Sequence, residues 1–452
     1  MNKTVVLLLA VFGLLCVQAW GQASGYQIAD LAEEAGEWSW LYAINNPGEV
    51  VGDYESALGE SASFTWGPIS GRHVFPTDNP LFEARDINDL GQVAGIGDED
   101  PSVVGMHVYC WDSVSGFTDL GLPWSGPWWA GIVYVQGINN EGQITGCSPR
   151  RVDAPYPPWL KGFDGFVRDP GSGFRYLDRL PASAPPYWRE DYDPLAINNV
   201  GQVAGRGTAW TTPTASVTFP CFWDSDGTPQ KLCTLPGDVT AWAYGLNDVG
   251  QVVGVSKDAT GFTRAFVWDA ALGMRRLGPE GLESYAYSIN GFGQAVGSVC
   301  TAGGVWKACL WDPVAGLVYL DMLDPTGYAE AFDINDHGVI CGYCSTPEGT
   351  EHAVIWTPTP ETATEQLSMI IAVAPDNPAI GIAPELQAPL LSKVDAALAA
   401  LETGNPNAAK VAVNDLKALV NQVKAQTDKK IAPDVAAEII ERANRIIAAL
   451  GG

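Results

Sequence analysis

The sequence predicts a seven-bladed β-propeller with four-stranded blades, followed by a small all-α domain of three helices. One nine-residue phrase occurs seven times, its copies starting 43, 51, 59, 49, 43 and 45 residues apart. Strand-like segments follow each copy, and one such segment before the first copy can supply a strand that the last copy lacks. From Glu385 onward the apolar residues recur at helical rather than strand spacing.

The repeated phrase has the pattern of a strand, a tight turn and a second strand. Its first copy, Ile44–Gly52, reads Ile-Asn-Asn-Pro-Gly-Glu-Val-Val-Gly. The branched residue ends a buried strand, the Asn pair opens the turn by side-chain hydrogen bonds to the backbone, and the following Gly supplies a positive φ. Copies begin at Ile44, Ile87, Ile138, Ile197, Leu246, Ile289 and Ile334. Such a long period is typical of a propeller blade.

We name the strands of a blade a to d in chain order. Strand a precedes the turn of the phrase, b follows that turn, c ends in Trp-Asp, as in 264–269, and d follows the next Gly, as in 274–277. The seventh copy has no d strand, because its c strand at 352–356 runs into the Thr-Pro run 357–360. The segment 26–31 reads like a d strand. We therefore expect the N-terminal strand to complete the last blade and close the ring.

The phrase and its Trp-Asp strand together resemble the HAF family of bacterial extracellular repeats, over about Tyr26 to Trp356. The resemblance implies an extracellular propeller-like module. It brings no known reaction and no functional residues. The His-Ala-Phe tripeptide that names the family is not intact in this chain, and the nearest matches are at 264–266 and 352–354.

The N-terminal residues have the features of a secretory signal peptide. One Lys precedes an apolar run from Val5 to Val17, and small residues suitable for cleavage follow. We assign 1–23 to the signal peptide and 24–356 to the propeller. The run is shorter than the roughly 20 residues of a spanning helix. We therefore expect an extracellular or cell-surface protein with no membrane span; a lipid anchor on Cys16 is disfavoured by Leu15 before it.

Charge and cysteine content restrict the possible partners and cross-links. The chain has 25 Lys and Arg against 52 Asp and Glu, a formal charge of −27. Such a surface repels phosphate backbones, so nucleic acid is not expected as a partner. Strand neighbours suggest two disulfides, Cys221 with Cys233 and Cys300 with Cys309. The alternative is that these thiols are free and buried.

No motif indicates a catalytic residue, a metal or a cofactor. No spacing among the four His would set two of them on one face, and none accompanies a Cys pair at zinc-finger spacing. Asp98-Glu99-Asp100 could suggest calcium, but it lacks the ligand ladder of an EF-hand, and a solvated acidic loop is the preferred interpretation. The chain contains no nucleophile elbow and no phosphate-binding Gly loop.

Aromatic content marks a second domain boundary. Every Trp, Tyr and Phe lies at or before Trp356, and the remaining 96 residues contain none. We assign 357–383 to a flexible linker and 384–452 to three helices with apolar stripes. These helices resemble the FIMAH domain, a small helical module at the end of secreted bacterial proteins. That resemblance implies an accessory role without catalytic residues.

Three long insertions predict a ligand site on one sector of the ring. They fall at 121–136, 148–164 and 180–194, and all belong to the face opposite the Asn turns. Aromatic residues between prolines give stacking platforms suited to sugars or proteins; packing of these rings on one another to fix the loops is the alternative. The candidate ligand-binding residues are Trp124, Trp128, Trp129, Tyr156, Trp159, Tyr187, Trp188 and Tyr192.

Two classes of function remain. The favoured one is a secreted, non-enzymatic scaffold whose propeller binds an extracellular protein or a glycan. The alternative is an extracellular propeller hydrolase or lyase acting on polysaccharide, which would need carboxylates converging near the ring axis. A calcium-dependent surface-layer component is also compatible with the acidic charge.

Overall fold

The computed structural model describes residues 25–33, 36–76, 81–98, 106–123, 133–149, 162–180, 189–210, 212, 215–373, 381–403, 405, 407–427 and 429–452. Within these ranges, seven antiparallel four-stranded sheets follow one another along the chain, and four helices follow the last sheet. The prediction of a seven-bladed propeller with four-stranded blades is confirmed.

The first three blades each use four consecutive strands, while β1 (Tyr26–Asp30) is kept for the last blade. Blade 1 contains β2 (Trp38–Ile44), β3 (Val50–Glu55), β4 (Ser61–Gly67) and β5 (Gly71–Val74). Blade 2 contains β6 (Leu81–Ile87), β7 (Val93–Asp98), β8 (His107–Asp112) and β9 (Gly116–Gly121). Blade 3 contains β10 (Tyr134–Ile138), β11 (Ile144–Pro149), β12 (Phe163–Asp169) and β13 (Gly173–Tyr176).

The next three blades repeat the arrangement. Blade 4 contains β14 (Arg189–Ile197), β15 (Val203–Trp210), β16 (Ser216–Trp223) and β17 (Pro229–Lys231). Blade 5 contains β18 (Thr240–Leu246), β19 (Val252–Lys257), β20 (Thr263–Asp269) and β21 (Gly273–Arg276). Blade 6 contains β22 (Ser284–Ile289), β23 (Ala295–Cys300), β24 (Trp306–Asp312) and β25 (Gly316–Tyr319).

The last blade combines the two ends of the propeller chain. It contains β26 (Ala329–Ile334), β27 (Ile340–Ser345) and β28 (Glu351–Pro358), and β1 pairs antiparallel with β28 as its outer strand. The ladder runs from Tyr26 opposite Pro358 to Asp30 opposite Val354. The expected closure by the N-terminal strand is confirmed, and it covers an edge of β28 that would otherwise be unpaired.

A ring of asparagine side chains joins the seven blades. The second residue of each phrase is a buried Asn, and its Nδ2 donates to the backbone carbonyl of the same residue in the next blade. The side-chain oxygen accepts the backbone N–H four residues on, as between Gln202 and Asn198 at 2.8 Å. The seven inter-blade bonds run from Asn45 to Asn88, Asn139, Asn198, Asn247, Asn290, Asn335 and back to Asn45, at 2.8 to 3.1 Å.

The third residue of each phrase adds an outer set of bonds on the same face. The Asp89 side chain accepts from the backbone N–H of Asn46 at 2.7 Å, and Asn140 does the same for Asp89 at 2.8 Å. Blade 6 has Gly291 at this position, so it has no side chain to accept the equivalent bond from Asp248. The outer set is thus incomplete, while the inner Asn ring is closed.

Four helices, not the expected three, follow the propeller. They are α1 (Pro360–Val373), α2 (Pro384–Glu402), α3 (Ala408–Gln426) and α4 (Pro433–Ala449). The additional helix α1 lies inside the segment expected to be a flexible linker. Its Leu367 and Ile371 are fully buried in one core with the other three helices, which explains why it is ordered. No helix of the described residues has the length and hydropathy needed to cross a membrane.

The helical unit contacts the propeller on the face that carries the Asn turns. Arg442 of α4 donates to the carbonyl of Asp336 in blade 7, and its guanidinium lies 4.2 Å from the ring centroid of Phe292 in blade 6. Arg445 donates to the carbonyl of Asn46 in blade 1 at 2.9 Å. Gln366 of α1 donates to the hydroxyl of Tyr26 at 3.3 Å. These contacts span the seam where the first and last blades meet.

The cysteines do not form the expected disulfides. All eight Cys of the described residues are free. Cys309 lies opposite Gly297, whereas Cys300 lies opposite Trp306, so the register of their ladder separates the two thiols. Cys221 lies opposite Lys231, two residues short of Cys233. Proximity of strands was read correctly from the sequence, but register decides whether side chains meet.

We expect Asn198→Ala to destabilise the protein by about 2 kcal/mol, because it leaves the N–H of Gln202 without its acceptor and removes the bond between blades to the Asn247 carbonyl, which keeps only the N–H of Gly250. Denaturant unfolding measures the change. Asn199→Ala is the matched control: it removes one exposed amide of the outer set, whose bonds to Asn140 and Asp248 water can replace, and should cost at most about 0.5 kcal/mol. Equal losses for the two variants would contradict a special role for the buried ring.

A second prediction concerns the helical unit. Replacing Arg442 and Arg445 together by Ala removes both bonds to propeller carbonyls, so we expect a lower unfolding midpoint and faster proteolytic release of the helices. Lys410→Ala with Lys417→Ala removes the same charge from an exposed side of α3 and should change neither. If the Arg variant releases no fragment faster than the Lys variant does, the two side chains do not hold the unit in place.

Candidate functional site

The innermost strand of every blade carries a β-bulge two residues before the phrase. In blade 5 the register shifts between Ala243 and Gly245, which leaves Tyr244 outside the ladder. Such bulges re-aim side chains next to binding sites. The seven bulged residues line an axial cavity of about 300 Å³ and are Tyr42, Arg85, Gln136, Leu195, Tyr244, Tyr287 and Phe332.

The Gly that ends the phrase makes this bulge possible. A Cβ built on Gly254 would lie 1.9 Å from the carbonyl oxygen of Trp242, across the ladder. The equivalent Gly of the other six blades meets the equivalent carbonyl at 1.9 to 2.2 Å. Only glycine allows so close an approach of two backbones.

Two carboxylates follow the bulges and enter the axial cavity. Asp86 accepts the backbone N–H of Ile138 at 2.7 Å, and Asp333 accepts that of Ile44 at 2.9 Å, so each bonds to the next blade. Both side chains are partly accessible from the cavity but lie deep in the ring. That burial raises the pKa of Asp86 to about 7, with Asp333 adding to it, and raises the pKa of Asp333 to about 6.

A second ring of side chains lies nearer the face opposite the Asn turns. It is formed by the residue four positions before each phrase, and all seven are at least partly exposed, whereas the next residue of the strand, such as Leu41 or Ala243, is fully buried. The side chains are aromatic or acidic in every blade. In order around the axis they are Trp40, Glu83, Tyr134, Asp193, Trp242, Tyr285 and Glu330.

A pocket of about 550 Å³ opens beside this ring, over blades 3 to 5. Its walls carry the aromatic side chains of Tyr134, Phe163, Trp210 and Trp242. Its polar groups are Gln136, Asp191, Asp193, Arg206, Thr208, Ser216 and Thr218, and Cys147 completes the lining.

The polar groups of the pocket hold one another in fixed positions. Arg206 donates to Asp193 through Nε at 3.0 Å and Nη2 at 2.8 Å. Trp210 Nε1 donates to Asp191 at 2.8 Å, and the backbone N–H of Phe163 donates to the same carboxylate at 2.9 Å. The Tyr134 and Phe163 rings lie 5.9 Å apart. The pocket thus presents flat rings beside a prearranged set of donors and acceptors.

The pocket lies at the base of the three insertions singled out in the sequence. Strands β10, β12 and β14 begin within the last residues of the first, second and third insertion, and all three strands contribute to the lining. Seven of the eight candidate ligand-binding residues lie outside the described residues: Trp124, Trp128, Trp129, Tyr156, Trp159, Tyr187 and Trp188. For these the site stays a prediction.

The eighth candidate, Tyr192, lies in the core. It is 2% exposed and packs edge-on against Trp223, with ring centroids 6.1 Å apart. The third insertion was expected to extend to Pro194, but strand β14 already begins at Arg189. Tyr192 therefore alternates with the pocket residues Asp191 and Asp193, whose side chains face the other side of the strand.

The pocket and the aromatic–acidic ring were not found from the sequence, although a signal was present. Aligning the seven strands on their phrases places an aromatic or acidic residue four positions before every copy. The candidate calcium loop at 98–100 lies in a segment whose side chains fall outside the described residues. Within the described residues, no three His, Cys, Asp or Glu side chains are grouped so that they could hold a metal ion.

No protein-family model and no curated protein matches this chain. Among solved structures it is similar to a puromycin-hydrolysing peptidase of Mycobacterium tuberculosis, with a TM-score of 0.47, 13% identity, and coverage of 74% of this chain and 53% of that one. For a putative TolB from Agrobacterium tumefaciens the TM-score is 0.37 and the identity is 15%, over 55% of this chain and 86% of that one. For a mutant Aleuria aurantia lectin in complex with Fucα1-6GlcNAc the TM-score is 0.32 and the identity is 9%, over 64% of this chain and 98% of that one.

The chain spans about half the length of the first of these structures. All three TM-scores are below 0.5, so none of the three carries an argument about this protein. The fold is defined by its own sheet topology.

The two axial carboxylates predict a pH dependence of stability. Their pKa values are raised from 3.8 to about 7 and about 6, so the folded state holds protons that the unfolded state releases. The stability that these two protonated carboxyl groups contribute is fully present below about pH 4 and is lost as the pH rises to about 7. We expect a loss on the order of 1 kcal/mol, because solvent in the cavity screens the charges.

The measurement is the unfolding midpoint of the wild type across this pH range, compared with Asp86→Asn combined with Asp333→Asn. The double variant should lack this component of the decline, while Glu60→Gln, at an exposed turn, should retain it. A wild type and double variant with parallel profiles would show that these groups ionise alike in both states.

Proposed function

We propose that the protein is an extracellular, non-enzymatic propeller that binds a glycan in the pocket over blades 3 to 5, with the helical unit as an accessory module. The observation that supports it is the composition of that pocket: four aromatic side chains beside seven polar ones in about 550 Å³. This volume is within the usual range of small-ligand sites.

The chemistry of sugars fits these walls. A pyranose presents a patch of C–H bonds that stacks on flat rings such as Tyr134 and Trp242, and its hydroxyls need donors and acceptors at the ring edge. Asp193 and Arg206 offer both in one ion pair, in which two guanidinium nitrogens donate to a single carboxylate oxygen. Because the pair is already formed, little side-chain entropy is lost when a ligand binds.

Export supports the choice of ligand but rests on the sequence. The proposed signal peptide at 1–23 and the resemblance to HAF repeats and to the FIMAH domain both favour an extracellular location, where polysaccharides are abundant partners. The charge of −27 disfavours nucleic acid as a ligand.

One observation favours the alternative, a hydrolase or lyase acting on polysaccharide: two carboxylates, Asp191 and Asp193, lie two residues apart on one face of β14 and line the pocket. A glycosidase needs two such groups, one of them able to donate a proton. Here both are already acceptors of charged or N–H donors, Arg206 for one and Trp210 for the other. Both carboxylates are thus held by donors of the protein, an arrangement that favours binding over acid catalysis.

The test is a glycan array with the secreted protein, followed by calorimetry with the best ligand. We expect Trp242→Ala and Tyr134→Ala each to weaken binding by about tenfold or more, the equivalent of at least about 1.4 kcal/mol, because each removes a stacking face. Tyr319→Ala is the control, since its ring is 38% exposed on an outer strand of blade 6.

Binding that survives both pocket variants, or an array without a ligand, would contradict the proposal. Release of reducing ends from the bound glycan, lost in Asp191→Asn or Asp193→Asn, would instead establish the enzymatic alternative.

A further inference from the structure

A continuous chain of aromatic rings lies on blades 5 to 7, away from the glycan pocket. All of its members are partly exposed or exposed. Ring centroids are 5.6 Å apart for Tyr244 and Tyr287, 5.2 Å for Tyr287 and Phe332, 5.6 Å for Phe332 and Tyr343, and 6.1 Å for Tyr343 and Tyr328. Tyr285 and Trp306 extend the chain at 5.9 and 5.5 Å.

Two carboxylates lie among these rings. Glu330 accepts the hydroxyl of Tyr287 at 3.1 Å, and Glu351 accepts from Trp40 Nε1 and the Tyr328 hydroxyl. Burial raises the pKa of Tyr343, and the negative charges of Glu330 and Glu351 lie near enough to its hydroxyl to raise that pKa further. Burial also raises the pKa of Glu330, and the charge of Glu351 adds to it.

Neither of these two carboxylates has a cationic partner among the described residues, unlike the acids at the positions equivalent to Glu330 in blades 2 and 4. Glu83 pairs with Arg85 at 2.9 Å, and Asp193 pairs with Arg206 at 2.8 Å. Glu330 and Glu351 receive only neutral hydroxyl and indole donors. Two negative charges near each other in a partly desolvated place repel, and a bound cation would relieve the repulsion.

We propose that Glu330, Glu351 and the rings around Tyr343 form a binding site for an organic ammonium group. The negative faces of aromatic rings attract an alkylammonium, and carboxylates supply the formal charge. A small hard cation would instead need several oxygen ligands in a shell, and the rings displace such ligands. The site takes a protonated amine or a quaternary ammonium, and it does not depend on the glycan pocket.

Every ring of the chain is at least partly exposed, so the site is open to solvent. Partial exposure at such a site limits the affinity of one ammonium group, which we expect in the millimolar range.

The experiment uses the full chain and tetramethylammonium as the probe, observed by saturation-transfer NMR on the methyl signal and by calorimetry. Glucosamine and N-acetylglucosamine form a second pair of probes, equal in ring shape and different in charge. We expect tetramethylammonium and glucosamine to bind and N-acetylglucosamine to leave this site unoccupied. Glu330→Gln or Glu351→Gln should each weaken tetramethylammonium binding by about tenfold.

Glu348→Gln is the matched control, because it removes the same charge from an exposed turn of the same blade and should change affinity less than about twofold. Tyr343→Phe keeps the ring and should keep binding, whereas Tyr343→Leu should lose it. If a Glu variant fails to fold, the Tyr343 pair supplies the same test.

Unchanged binding in folded Glu330→Gln and Glu351→Gln, or displacement of the probe by N-acetylglucosamine as strong as that by glucosamine, would overturn the proposal. The two functions are separable. Trp242→Ala should lose the glycan and keep tetramethylammonium, while Glu330→Gln should do the reverse.

Discussion

The fold depends on one hydrogen bond repeated seven times, from the Asn side chain of one blade to the carbonyl of the equivalent Asn in the next. The final bond, Asn335 to Asn45 at 3.0 Å, joins the last blade to the first, so the series is closed. Each amide donates to a carbonyl of the next blade and accepts a turn N–H of its own blade, so losing it would break the link between blades and leave that N–H without its acceptor. The ring therefore sets the spacing of the turns, and with it the width of the axial cavity.

The seam between blades 7 and 1 receives additional contacts. The outer strand β1 supplies the ladder that covers β28, and the helical unit reaches both sides of the seam through Arg442 and Arg445. His337 lies beneath α4, where burial and then Arg445 lower its pKa to about 3. It is therefore neutral at physiological pH, and its 3.3 Å contact with Glu441 is not an ion pair. The two guanidinium–carbonyl bonds, together with the Arg442–Phe292 contact and the Gln366–Tyr26 bond, join the two units.

The features predicted well from the sequence were those with a local cause. The residues that form the turn all lie within the phrase, and the number of phrases equals the number of blades. Because the seventh phrase has no d strand after it, the segment at Tyr26 could be recognised as that strand. The predictions that failed depended on contacts between distant segments. Turn geometry accounts for only one of the bonds of the Asn45 side chain, because its amide also donates to the Asn88 carbonyl of the next blade. Helix α1 follows a Thr-Pro run that suggested a linker, and only packing of Leu367 and Ile371 on later helices orders it.

The same contrast explains why the candidate sites were missed. The backbone around the axis has the same conformation in all seven blades. The last Gly of each phrase allows this, because a Cβ on that residue would lie only about 2 Å from a carbonyl oxygen of the innermost strand. In each blade this carbonyl belongs to the residue whose side chain forms the aromatic–acidic ring. The carbonyl oxygen of Trp242, for example, is the one that approaches Gly254. Position is thus fixed by the repeat, whereas side-chain identity is free to differ between blades. Differences among equivalent positions produce a pocket with paired charges on blades 3 to 5 and unpaired carboxylates among rings on blades 6 and 7. A symmetric scaffold can in this way carry two chemically different sites, and neither is visible in the phrase that builds it.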